Sequence, residues 1–209
     1  MSLVDRLKSL GRAAYSRLSQ LVRILSAEEA KRELCEPDKV TVAPAATADT
    51  HDGGCVCRFV RYRMMSQPLF VNCCHCRWCQ RETGASFALN AMIEADRVQL
   101  IQGEVEVVNT PSASGKGQKI SRCPACRVAV WSNYAGAGEA IRFVRVGTLD
   151  EPDPFPPGIH IFTTTKQPWV ALPGNVPAVE EYYSAAEIWP ADSLARRAAL
   201  LADKSADKT

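Results

Sequence analysis

Seven cysteines fall into three short groups, and nothing else in the sequence limits the fold so tightly. Cys55 and Cys57 make C-x-C, Cys74, Cys76 and Cys79 make C-x-C-x2-C, and Cys123 and Cys126 make C-x2-C. Cys73 directly precedes the second group, and Cys35 stands apart. The cysteines at 73–79 lie too close together to pair with one another, because a disulfide wants a Cα separation of about 5.5 Å and a fixed torsion. The chain reads as soluble and intracellular, where thiols stay reduced: no stretch reaches the ~18–20 apolar residues of a membrane span, and the first residues lack a secretory apolar core. Metal is therefore the better account of the thiols.

Tetrahedral zinc has Zn–S bonds of about 2.3 Å, which puts its sulfurs about 3.8 Å apart. A C-x2-C turn reaches that spacing, and a C-x-C pair in extended backbone points both thiols to one face. Cys55, Cys57, Cys123 and Cys126 can thus complete a four-thiolate site that fastens the start of a domain to its middle. Cys74, Cys76 and Cys79 leave three ligands with no evident fourth, which is the usual arrangement of a catalytic zinc. His75 and Cys73 are the local residues that could fill the vacancy, but in extended backbone both point away from Cys74 and Cys76. A second structural zinc is the rival reading; packing of bare thiols is the weakest, since cysteines cluster this way mainly for metals. Three thiolates leave the zinc a net negative charge, so it acidifies water poorly and is better suited to holding an incoming thiol as thiolate.

Elsewhere the chain divides by pattern. Residues 1–25 place Leu3, Leu7, Leu10, Ala14, Leu18, Leu21 and Leu25 on one helix face and carry a net charge of +4, five basic groups against Asp5. With residues 26–35 they form an N-terminal amphipathic extension (1–35), and 36–52 reads as a linker. That helix can lie on an anionic membrane surface, serve as an import sequence, or pack on the domain or a partner. From residue 53 to 183 short β-like runs prevail, the clearest at Val105–Val108, Val128–Trp131, Ile141–Val146 and Ile159–Thr163. Residues 184–209 read as a helical tail, with Pro190 at a first-turn position. The fold class is mostly β with added terminal helices. Charge is balanced, 25 basic residues against 23 acidic, which argues against nucleic-acid binding.

Several motifs, taken together, resemble the family of glutathione-dependent formaldehyde-activating enzymes, which includes centromere protein V. They are "GGCVCRFVRY" (53–62), "CHCRWCQRETGASF" (74–87), "CPAC" (123–126), "VGTLDEP" (146–152) and "HIFTTTKQPWV" (160–170). The resemblance implies a β-tent zinc-binding fold and two zinc ions per chain. A structural ion would sit on Cys55, Cys57, Cys123 and Cys126, and a catalytic-type ion on Cys74, Cys76 and Cys79. It also implies carbon–sulfur lyase activity, joining glutathione and formaldehyde to S-(hydroxymethyl)glutathione. Two departures stand out. Arg58 and Arg127 occupy positions where the family usually has glycine after each structural pair, so either the turns differ or the arginines bear strain there. Arg77 replaces a common serine.

Around the trio, Arg77 and Arg81 could attract the carboxylates of a small thiol such as glutathione, or be solvated counter-charges. Trp78 could wall the pocket or pack, and His160 could shuttle protons or be structural. Trp169 reads as a core or rim aromatic and Asp150 as a turn former. The expected compartment is the cytoplasm, with mitochondria as the alternative if the first helix directs import. The rival to an enzyme is a non-catalytic double-zinc module for protein or nucleic-acid interaction.

Overall fold

The structure is a computed structural model that describes residues 49–206, together with Gln20 and Val22, both helical. The remainder of the N-terminal extension, Cys35 and most of the stretch read as linker lie outside the described residues. Among the described residues ten strands form two sheets: β1 (His51–Gly54), β2 (Arg61–Met64), β3 (Phe70–Cys74), β4 (Ala88–Glu94), β5 (Val98–Gln102), β6 (Glu106–Thr110), β7 (Gln118–Arg122), β8 (Ala129–Tyr134), β9 (Ile141–Arg145) and β10 (Ile159–Ile161). Between residues 49 and 206 the α-helices are α1 (Arg77–Thr83), α2 (Ala185–Ile188) and α3 (Ala191–Ala206). The molecule is mostly β, as the sequence predicts.

A small antiparallel sheet runs β1-β2-β5, and a seven-stranded sheet runs β10-β3-β4-β9-β8-β7-β6. Within the larger sheet, β10 and β3 run parallel; the other pairs are antiparallel. Strands β3, β4 and β9 are covered on both faces, so their burial is nearly continuous rather than alternating, with Asn72, Asn90, Glu94 and Arg145 among the buried side chains. On one face Val71, Ala91, Ile93, Trp131 and Val144 meet Val60, Tyr62, Met64 and Val98 around the small sheet. On the other, Met92, Ile141 and Phe143 pack with Leu69, Trp189, Ile188 and Leu194. The layers are therefore sheet, sheet and C-terminal helices.

The segment read as a tail is thus one wall of the core. Arg196 fastens it, donating from Nε and Nη2 to the buried Glu94 carboxylate at 2.9 and 2.6 Å. Trp189 Nε1 donates to Tyr183 Oη (2.9 Å), whose hydroxyl donates to Asn72 Oδ1 on β3 (2.8 Å). At the other end, β1 takes in His51 and Asp52, two residues of the stretch read as linker. Asp52 accepts two hydrogen bonds from Arg63 at 2.5 and 2.7 Å. Gly53 packs so closely on Tyr62 that an added Cβ would lie 2.6 Å from its ring.

Candidate metal centres

The first centre is built from two matching turns. Cys55 N donates to Val60 O (3.1 Å) and Arg58 N to Cys55 O (3.0 Å); Cys123 N donates to Val128 O (2.9 Å) and Arg127 N to Cys123 O (3.0 Å). Each turn closes on an arginine in the left-handed region, Arg58 at φ 65° and Arg127 at φ 64°. The glycine-type turns are therefore kept, and the arginines carry the strain. Four thiols converge between the turns: Cys55 and Cys57 Sγ lie 3.5 Å apart, Cys57 and Cys123 Sγ 3.7 Å, and the whole group falls within 4.8 Å. Those spacings fit the edges of a tetrahedral zinc–thiolate site, about 3.8 Å. The backbone prepares for charged sulfur as well. Burial opposes charge on Cys126, but N–H groups of Val128 and Cys57, with the Cys57 and Cys123 thiols, bring its pKa down to about 7. Val60 N donates to Cys55 Sγ at 3.3 Å.

The second centre sits where β3 runs into α1. Cys74 ends the strand, and Cys76 is the N-cap of α1, its sulfur accepting from Cys79 N at 3.3 Å. A thiol at a helix start is a natural place for negative charge, because the first N–H groups of the helix lack partners. Hydrogen bonds from the Cys74 and Cys79 thiols, aided by the backbone N–H groups of Cys79 and Trp78, hold Cys76 near a pKa of about 2 against the effect of burial. Cys74 is pushed far up by the Cys76 and Cys79 thiols and by burial. All three sulfurs lie within 4.8 Å of one another, and each residue is buried. The trio packs with Ala88, Ile159 and Ile161 and with half-buried Tyr183 and Ile188 from the C-terminal segment.

The face of the sheet that carries Cys74 also supplies a buried cation. Arg145 on β9 pairs in register with Asn90, donates to Asn90 Oδ1, and donates to Ser132 Oγ at 3.0 Å. Its Nε has no partner among the described residues, and its positive charge acts on Cys79. Tyr134 Oη stands 4.0 Å from Cys79 Sγ, and burial pushes its pKa well above the usual phenol range. Three thiolates on zinc would leave a net negative charge, and Arg145 is placed to balance it.

The other face of β3 carries a third group absent from the sequence-derived sites as a unit. Cys73 and His75 point away from Cys74 and Cys76, as alternation requires. They meet His160, which pairs with Cys73 in register on the parallel strand β10. All three are buried, and their ligand atoms also fall within 4.8 Å of one another. His160 therefore stands on the opposite face from the trio, with His75 and Cys73. Arg77, Trp78 and Arg81 are exposed on α1, Arg77 donating to Gln80 Oε1 at 2.8 Å. Trp169 is exposed at the surface. Asp150 pairs with Arg61, Nη1 donating at 2.9 Å, and this holds its carboxyl below the usual range. Arg145 and Tyr134 escape sequence reading because strand neighbours, not chain neighbours, bring them to Cys79. A groove of about 700 Å³ opens between the end of α1, β4 and the 152–156 loop, but none of the grouped cysteines lines it.

Two sheets, paired strained turns and separate thiol clusters define a mostly β protein whose cysteine groups could hold metal ions. Residues 50–165 match the model of the family described as glutathione-dependent formaldehyde-activating enzyme, and the chain belongs to that family. No curated protein matches the sequence. The crystal structure of a Rhodobacter sphaeroides protein is similar at 15% identity and a TM-score of 0.37, covering 61% of this chain and 99% of that one.

Proposed function

We propose that this chain is a zinc-dependent enzyme of the carbon–sulfur lyase type, working in the cytoplasm on adducts of glutathione, or another small thiol, with small aldehydes. S-(hydroxymethyl)glutathione is the first candidate. Family membership supports the substrate class. The single observation that carries the site is the contrast between the clusters. Four thiols converge in one, whereas Cys74, Cys76 and Cys79 converge with no fourth cysteine, histidine or carboxylate in their group among the described residues.

Cys74, Cys76 and Cys79 would hold a zinc ion, and such an ion would supply a Lewis-acidic position that favours the thiolate form of a substrate thiol. The chain's own residues set the conditions for that. Cys79 N holds negative charge on Cys76, and buried Arg145 offsets the excess negative charge near Cys79. Arg77 and Arg81, exposed on α1, offer cations to the carboxylates of glutathione, with Trp78 as an apolar wall. In the forming direction the thiolate sulfur bonds to the aldehyde carbon and the carbonyl π pair moves to oxygen. That oxygen takes up the proton the thiol released; cleavage is the reverse.

The test pairs metal analysis with NMR exchange between formaldehyde hydrate and its glutathione adduct. One zinc per cysteine group and faster exchange, lost in Cys79→Ser, are expected. An exchange rate equal to that in buffer, with both groups loaded, ends the proposal. Burial of the trio, each cysteine no more than 6% exposed, favours a second reading: a non-catalytic module with two structural zinc ions. X-ray absorption separates the two, since the enzyme needs an exchangeable ligand beside three sulfurs.

A further inference from the structure

The structure assigns Cys73, His75 and His160 as a third, buried site for a soft monovalent metal ion, with copper(I) the ion that best fits it. The inference does not depend on the lyase reading, and it concerns the opposite face of β3.

Three donor atoms point at one another there. His75 Nε2 lies 3.6 Å from Cys73 Sγ and 3.0 Å from His160 Nδ1. With metal–sulfur bonds near 2.3 Å and metal–nitrogen bonds near 2.0–2.1 Å, the edges of a trigonal three-coordinate site run from about 3.5 to about 3.8 Å. The sulfur–nitrogen edge is within about 0.2 Å of that geometry, and the nitrogen–nitrogen edge needs to open by about half an ångström. The scaffold behind these atoms is stiff. Cys73 is in β3, His160 pairs with it across a parallel ladder, and His75 N donates to Ile161 O at 3.0 Å. The His75 carbonyl accepts from Gln80 Nε2 (2.6 Å) and Thr165 Oγ1 (3.0 Å), which fixes the residue from its other side. The outward ring nitrogens, His75 Nδ1 and His160 Nε2, have no protein partner among the described residues. Nothing on the far side of either ring therefore dictates its tautomer, and both can turn a lone pair inward.

Charge and coordination number choose the ion. The three residues are only 1%, 0% and 6% exposed, so the site has little access to water that would complete a four-coordinate shell. One thiolate neutralises a monovalent ion but leaves a divalent ion with an uncompensated positive charge in a buried place. No carboxylate joins the group among the described residues, and the nearby cation of Lys166 already acts on His75. Soft sulfur and imidazole donors in a three-coordinate site select copper(I) over zinc, which prefers four ligands. Binding releases the thiol proton and involves no change of oxidation state.

The test uses the full chain, loaded first with zinc and handled without oxygen. Copper(I) is added from a bicinchoninate buffer, and both metals are measured after desalting. One copper ion per chain, taken up with no loss of zinc, is expected, with an X-ray absorption shell of one sulfur and two nitrogens. Cys73→Ala should weaken copper retention by roughly 100-fold or more, since loss of even an outer partner costs about 10–100-fold. Its zinc content should match the unaltered chain. Copper uptake that expels zinc in equal amount, an all-sulfur shell, or unchanged affinity in a folded Cys73→Ala variant would each overturn the assignment. If that variant fails to fold, stoichiometry and shell of the unaltered chain still decide it.

Discussion

Replacing Arg58 or Arg127 isolates one strain in the metal-site turns. At φ 65° and 64° each arginine holds a conformation that costs a side-chain-bearing residue about 1–2 kcal/mol. Glycine removes that cost but gives the unfolded chain extra freedom, about 0.4–1 kcal/mol. The side chains contribute little: the Arg127–Glu106 ion pair is 52% and 46% exposed, in the range where such pairs are worth about 0–1 kcal/mol. Alanine is the proper reference, because it deletes the side chain and keeps the strain. Arg58→Gly should therefore be more stable than Arg58→Ala by about 0.5–1 kcal/mol, and the Arg127 pair should behave alike. Urea unfolding at one fixed zinc concentration reads the difference, since metal bound to the folded state adds its own stability. Glycine variants no more stable than their alanine counterparts would refute the account of strained turns. The two turns lie in one site, so the double glycine variant also reports whether their effects add.

Three further outcomes follow from the charged side chains. Arg196→Met strands Glu94 in the core; breaking a buried pair costs about 3–5 kcal/mol, less here because Arg97 stands 3.6 Å away, and Glu94→Gln in the same chain should restore part of the loss in denaturant titrations. Arg145→Met should cost about 1–3 kcal/mol through lost hydrogen bonds and should lower zinc retention by the trio against a chelator, while leaving the four-cysteine site unchanged. Asp150 has its pKa lowered by its hydrogen bond with Arg61, so its contribution is present above the ordinary carboxylate range and lost as pH falls through the lowered value. Asp150→Asn should flatten that acid limb of the stability profile, by less than about 1 kcal/mol because the carboxylate is half exposed.

The cysteine spacing carries the four-plus-three grouping because metal ligands at short separations are fixed by local backbone geometry. Alternation along β3 likewise foretells that Cys73 and His75 turn away from Cys74 and Cys76. What they turn toward is not legible, because His160 arrives through a parallel pairing with a strand far along the chain. Strands β6, β8, β9 and β10 announce themselves by β-branched and aromatic runs. Strand β1, "HDGG", has neither; it forms because Asp52 meets Arg63 and Gly53 lets Tyr62 approach. Helix α1 is hidden inside the cysteine motif, whose residues serve at once as ligands, cap and helix.

The role of residues 184–209 turns on which side of β4 needs covering. An amphipathic helix read from sequence is indifferent between solvent and sheet, but Met92, Phe143 and Glu94 lie on the face that this segment packs against. Burial of Trp189 and of the partly buried Ile188, Leu194 and Leu200 stabilises by up to about 1.5–3 kcal/mol for each fully covered side chain. Loss of Arg196 would leave the buried Glu94 carboxylate with the longer 3.6 Å Arg97 contact and add that cost. Together these match the whole stability of an ordinary domain, about 5–15 kcal/mol. A chain ending at Tyr183 should therefore fail to unfold cooperatively and should expose apolar surface to a hydrophobic dye, even with zinc in excess. The trio should suffer with it, because Ile188 packs on its cluster and Trp189 holds the Tyr183 hydroxyl that reaches Asn72. Should the shortened chain unfold at the same urea concentration as the full one, the segment is an appendage and the three-layer account of the core is wrong.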